Sequence, residues 1–229
     1  MAGAIFGILL VGLIIFLALY FSERRKKAVA AIAPTLGLTF APGTFHATDP
    51  ELAARSKFGA FGHGQSRSFG YVLHGHRDGV EIRVFDYSYS VPSGTNQQTI
   101  QATMALLSSP KLNLPGTLDI HPENVFSKIG AKLGAQDVDL ADFPEFSKRF
   151  VVKADSPEIV PVLIDSATAA FFVAHPRLTV QVDSPHLLAM RGWRTVKPTE
   201  FPAFLDEALG AFRHLSAGAA RVGSGQATK

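Results

Sequence analysis

Residues 69–91 read FGYVLHGHRDGVEIRVFDYSYSV, and this stretch decides the fold class. At its centre Asp78-Gly79 marks a two-residue hairpin turn, because type I′ geometry needs residues that tolerate left-handed backbone at both central positions. The turn joins two strands, 69–76 and 80–91, rich in β-branched and aromatic residues. In the second strand Val80, Ile82 and Val84 share one parity, while Phe85, Tyr87, Tyr89 and Val91 share the other. Successive side chains of a strand point to opposite faces, so one face cannot take both sets. The pattern predicts either a bulge near Val84-Phe85 or a strand covered on both faces. A second turn at 92–96 leads into 97–107 and completes a three-stranded antiparallel meander.

Downstream, 112–120 reads as a strand. Pro122-Glu123 opens a helix whose stripe is Val125, Phe126, Ile129 and Leu133. Residues 146–153 read as a strand, and two helical stretches follow, one from Ser156-Pro157 and one capped by Asp165. Residues 178–182 and 186–190 form a hairpin. Phe201, Phe204, Leu205, Ala208, Phe212 and Leu215 recur at helical spacing over 199–215. The small, polar residues 216–229 are expected to be disordered. Runs of strands with clustered helices argue for an α+β fold, an antiparallel-sheet domain with packed helices. The order of elements suggests two halves, 38–121 and 122–215, within one globular region, 38–215.

Upstream, 38–40 is a short strand, and Asp49-Pro50 suggests a helix start within the Pro- and Gly-rich 41–65. A basic juxtamembrane helix, 23–37, bends or ends at Pro34 and is capped by Gly37. Before it, residues 2–21 contain no charged side chain. Twenty helical residues at ~1.5 Å each cover ~30 Å, the hydrocarbon thickness of a bilayer. A cleaved signal peptide would need a basic start, a shorter apolar run and a small-residue cleavage site, none of which is present. The reading is a transmembrane anchor over 1–22. Arg24, Arg25, Lys26 and Lys27 follow it at once, so the positive-inside rule places this flank in the cytoplasm and the N-terminus outside. These four residues are read as membrane-surface contacts to anionic lipid heads.

The chain has 22 Lys and Arg against 19 Asp and Glu. Segment 23–27 holds four of the basic residues and one of the acidic ones, which leaves 18 of each elsewhere. The high isoelectric point therefore reports the anchor's flank, and no basic face for nucleic acid remains. The absence of cysteine excludes disulfides, thiolate metal sites and thiol nucleophiles.

No phosphate-binding glycine loop, G-x-S-x-G elbow or H-E-x-x-H pattern occurs. His74 and His76 lie on one face of a strand, with His63 upstream and Asp86 across the hairpin. As a metal site this set is thin, and no metal or cofactor is expected. Asp86, among Tyr87 and Tyr89, is the candidate general acid, with His74 or His76 as its partner. The competing reading makes Asp86 a strand-edge residue that pairs with Arg83 or caps a turn. The acidic stretch 136–145 lacks the glycine and terminal glutamate of an EF-hand loop.

Leu36-Gly37-Leu38-Thr39-Phe40, Gly75-His76-Arg77-Asp78-Gly79, Val84-Phe85-Asp86-Tyr87-Ser88-Tyr89 and Pro144-Glu145-Phe146-Ser147-Lys148-Arg149-Phe150 together carry a resemblance, over residues 30–212, to an uncharacterised family of bacterial single-span membrane proteins with a cytoplasmic domain of unknown function. The resemblance implies the bacterial inner membrane and assigns no role to any side chain. The expected function is a membrane-anchored, cytoplasm-facing binding or scaffolding module. Its partners would be the lipid bilayer and another membrane or peripheral protein. The alternative is a membrane-tethered, hydrolase-like enzyme using Asp86 with His74 or His76.

Overall fold

The computed structural model describes residues 2–43, 45–46, 58–94, 96–123 and 136–226. The expected helices at Asp49-Pro50 and over 124–134 lie outside the described residues.

One helix, α1 (Ala2–Ile32), spans both the expected anchor and most of the basic segment. Ala33–Leu36 tightens into a 3₁₀ turn, and Gly37 ends it at φ +67°, donating its N–H to Pro34 O at 3.0 Å. The apolar side chains described along the first part of α1 are exposed, Phe6, Leu9, Leu13 and Phe16 among them. Several positions in that part are not described, and among the described residues no single helix is long and apolar enough to cross a membrane. One pair of helices, bent by 85°, is long and apolar enough only when the two are taken together. Those are α3 (Val160–Leu163), with the 3₁₀ turn before it, and α4 (Ser166–Ala174); they contribute Val160, Leu163 and Phe172 to the core.

The strands are β1 (Thr39–Ala41), β2 (Phe45–His46), β3 (Gln65–Arg77), β4 (Val80–Ser93), β5 (Asn96–Ser108), β6 (Thr117–Pro122), β7 (Gln136–Asp137), β8 (Phe150–Ala154), β9 (Thr179–Asp183) and β10 (His186–Met190). They form one antiparallel sheet in the order β1-β3-β4-β5-β10-β9-β6-β8-β7, with β2 also on β3. The β9–β10 hairpin sits between β5 and β6, so strands from both expected halves interleave in a single sheet. The Asp78-Gly79 turn has φ +54° and +77°, as a type I′ turn requires.

Both faces of β4 are covered. Val80, Ile82 and Val84 face the main core beneath α1, α3, α4 and α5 (Phe201–Gln226). Phe85, Tyr87 and Tyr89 face a second, aromatic cluster with Phe58, Phe61, Phe69 and Met104. β4 itself stays in regular register with β5. The irregularities fall on β3, between Gln65 and Ser68 and between Phe69 and Val72.

Three expectations need correction. The strand expected over 112–120 starts only at Thr117 and runs to Pro122. Phe146 and Ser147 belong to a short helix, α2 (Pro144–Ser147), and the strand starts at Phe150, because Pro144 begins a helical turn that buries Phe146. The tail is not disordered from 216: α5 continues to Gln226. Leu215, Ala219 and Val222 extend its buried stripe at helical spacing, and Gly218 leaves room for Leu163 to pack directly on the helix backbone.

Candidate functional site

Asp86 lies on the helix-facing side of the sheet, opposite Thr103 on β5. On β3, Phe69 pairs with Tyr87 but Val72 pairs with Phe85, so Gly70 and Tyr71 together oppose the single Asp86. This two-against-one bulge reverses the alternation. Phe69 therefore stays in the aromatic cluster, while Tyr71, two residues on, joins the main core and reaches Asp86.

Four hydrogen bonds converge on the carboxylate. Arg25 Nε donates to Oδ2 at 2.7 Å and Arg25 Nη2 to Oδ1 at 3.0 Å, a bidentate pair. Tyr71 OH donates to Oδ2 at 2.9 Å and Thr103 Oγ1 to Oδ1 at 2.6 Å. Thr103 Oγ1 also accepts from Arg25 Nη2 at 3.1 Å and from the Val196 N–H at 2.9 Å. A hydroxyl has one proton and two lone pairs, and all three are in use. The Arg25 guanidinium also lies 5.9 Å from the Phe201 ring centre, at the start of α5. One cluster thus ties α1, three strands, the loop after β10 and α5 together.

The electrostatics follow from this packing. Burial lowers the affinity of Arg25 for its proton, but the hydrogen bond and charge of Asp86 outweigh it and the guanidinium is held more firmly protonated. Burial, then the Asp86 charge, pushes the Tyr71 phenol well above its ordinary range. A carboxylate with its lone-pair directions filled is a structural acceptor and is poorly placed to act as a general acid or nucleophile.

His74 and His76 do not join Asp86. His74 pairs with Arg83 and His76 with Glu81, which puts both on the opposite face of the sheet. Both are exposed. His63 is elsewhere, 6.2 Å from the Tyr89 ring and 6.3 Å from Trp193. Arg83 bonds Glu81, and not Asp86, at 2.9 Å. Among the described residues no three His, Cys, Asp or Glu side chains gather as metal ligands.

Arg25 corrects the reading of the basic flank. It turns inward, with its side chain 23% exposed, while Arg24 and Lys27 stay exposed and Lys26 is half-buried against Glu23 at 2.8 Å. The sequence held only a partial signal, the four-residue spacing that puts Arg25 on one helical stripe with the apolar Val29 and Ala33. Tyr71 and Thr103 carried no such signal.

A cleft of about 420 Å³ opens beside this cluster, between α1 and the sheet. Phe21, Ser22, Arg25 and Lys26 line it from the helix. Ser68, Ser88 and Gln101 line it from adjacent strands, one row beyond Tyr71, Asp86 and Thr103. The Ser68 and Ser88 hydroxyls are 2.8 Å apart.

A second buried polar set occupies the other face. His121 Nδ1 is 3.0 Å from Asp119 Oδ1, Gln181 Nε2 donates to Asp119 Oδ2 at 2.8 Å, and the Ala60 N–H donates to Gln181 Oε1 at 3.1 Å. This set pins the 59–62 turn to β6 and β9.

No protein-family model matches the chain. No curated protein matches it in sequence. Among solved structures, its fold is similar to the crystal structure of the mycobacterial trehalose monomycolate transport factor A, TtfA, with a TM-score of 0.59 and 14% sequence identity. The match covers 86% of this chain and 93% of that one. At this identity the likeness is one of fold.

Proposed function

We propose that this protein is a membrane-anchored, non-enzymatic module on the cytoplasmic side, an accessory to a membrane or peripheral partner that handles an amphiphile. In this reading residues 2–21 of α1 cross the membrane, and 23–27 stand at its cytoplasmic surface. The observation that carries it is the bidentate Arg25–Asp86 pair, which clamps the helix just past the apolar run to the centre of the sheet. A tether of flexible chain would only confine the domain near the bilayer. A clamped helix also fixes its orientation and holds the cleft beside Phe21, where an interfacial aromatic belongs. The fold likeness to a mycobacterial transport factor supports a role in transport over one in chemistry. The saturated Asp86 argues the same way.

Two measurements test this. A reporter fused at the C-terminus should be active only if it functions in the cytoplasm, and activity of a periplasm-dependent reporter overturns the orientation. Photo-crosslinking of the full chain in its native host, from positions along the cleft, should recover the same membrane-associated protein repeatedly. Recovery of none overturns the accessory role.

A further inference from the structure

The cleft between α1 and the sheet has a lining that selects a chemistry. Ser22, Ser68 and Ser88 bring hydroxyls and Gln101 brings an amide, while Gly70 leaves the floor open. An added methyl at Gly70 would meet only Asp86 atoms, at 3.5 and 3.7 Å, which is ordinary contact. The charges at the site are already compensated. Arg25 is bound to Asp86, and Lys26 to Glu23 at 2.8 Å. A phosphate would call for an uncompensated cation. A neutral group bearing several hydroxyls calls for neutral donors and acceptors in a row, which is what the Ser68–Ser88–Gln101 row supplies. The volume, about 420 Å³, falls within the range of small-ligand pockets. At the mouth Phe21 is exposed, as the last residue of the apolar run.

We infer that this cleft binds the uncharged, hydroxyl-rich headgroup of a membrane lipid, with Ser68, Ser88 and Gln101 reading the hydroxyls and Phe21 facing the apolar part. The inference rests on the membrane-anchored reading above. It names what that module holds, and leaves the anchor and its partner to their own tests.

The test uses the full-length chain in phosphatidylcholine nanodiscs, with lipid retention read by native mass spectrometry. Digalactosyl diacylglycerol should be retained in preference to phosphatidylglycerol. Gln101→Leu, at an exposed position, and Ser88→Val should each weaken retention by about fivefold, the effect of one uncharged hydrogen bond. If Ser88→Val fails to fold, Gln101→Leu alone decides. Equal or stronger retention of phosphatidylglycerol overturns the uncharged headgroup. The free headgroup, digalactosylglycerol, binding as tightly as the glycolipid overturns the lipid source in favour of a soluble saccharide. Retention of no lipid by a chain that still inserts and still cross-links its partner overturns this inference alone. A chain that does not insert overturns the reading beneath it.

Discussion

On the helix-facing side of β4, Asp86 collects four directional bonds from Arg25, Tyr71 and Thr103. On the other side, Phe85 and Tyr87 pack with Phe61 and Phe69 through ring contacts of 5.1–6.4 Å, and Tyr89 packs on Tyr87 at 6.0 Å. Neighbouring residues of one strand thus serve two different purposes. The aromatic face removes large apolar areas from water and is the main source of local stability. The polar face contributes less free energy, because desolvating the ions offsets much of their attraction. What it contributes is direction, since a bidentate pair is satisfied only when α1 sits in one place and one orientation.

Changes on either side should separate the two roles. Phe85→Ala should cost about 3–5 kcal/mol in urea unfolding, with the α1 contact retained in the folded molecules. A cost no larger than that of a surface substitution would break the assignment of stability to the aromatic face. Asp86→Ala should cost about 2–3 kcal/mol, less than for a fully buried pair because the Arg25 and Asp86 side chains remain 23% and 19% exposed. The double variant Arg25→Met/Asp86→Leu should regain most of that loss yet speed hydrogen exchange over residues 22–32. Unchanged exchange there would remove the clamp's directional role.

A third change is in pH. Burial raises the phenols on both faces, Tyr71 on the polar side and Tyr87, pushed up to about 12, on the aromatic side. The unfolded phenols release their protons near pH ~10, before the folded ones, so the contribution is complete below that pH and is lost as pH rises above it. Stability should fall as pH climbs past about 10, and Tyr71→Phe should flatten part of the slope. The smallest effect is expected at Tyr87, whose buried hydroxyl has no hydrogen-bond partner among the described residues. Tyr87→Phe should be neutral or stabilising by up to about 1 kcal/mol in thermal melts. A clear loss would mean that the hydroxyl has a partner.

The fold was legible where it depends on near neighbours. Asp78-Gly79 announced the hairpin, and the parity conflict at Val84-Phe85 announced an unusual strand. That Asp86 does not meet His74 or His76 follows from the turn alone. A two-residue turn pairs Arg77 with Val80 and hence His74 with Arg83, three positions from Asp86 and so on the other face. The bulge at Gly70-Tyr71 was not legible, because the same residues alternate acceptably without it. The end of α5 was obscured by composition: Ala217, Gly218, Ala219 and Ala220 read as a tail until Leu163 packs against Gly218.

The sequence by itself determined the apolar run and its basic flank, the hairpin turn, the apolar stripes of the helices, and the absence of thiol chemistry. Each of these rests on residues within a few positions of one another. Only the tertiary structure decided that both faces of β4 are buried, that the β9–β10 hairpin joins the two parts into one sheet, and that Arg25 leaves the basic flank for Asp86. Those two residues are 61 positions apart. Their meeting follows from where α1 crosses the sheet, as Tyr71's arrival follows from a one-residue slip in β3, and the spacing of the residues specifies neither.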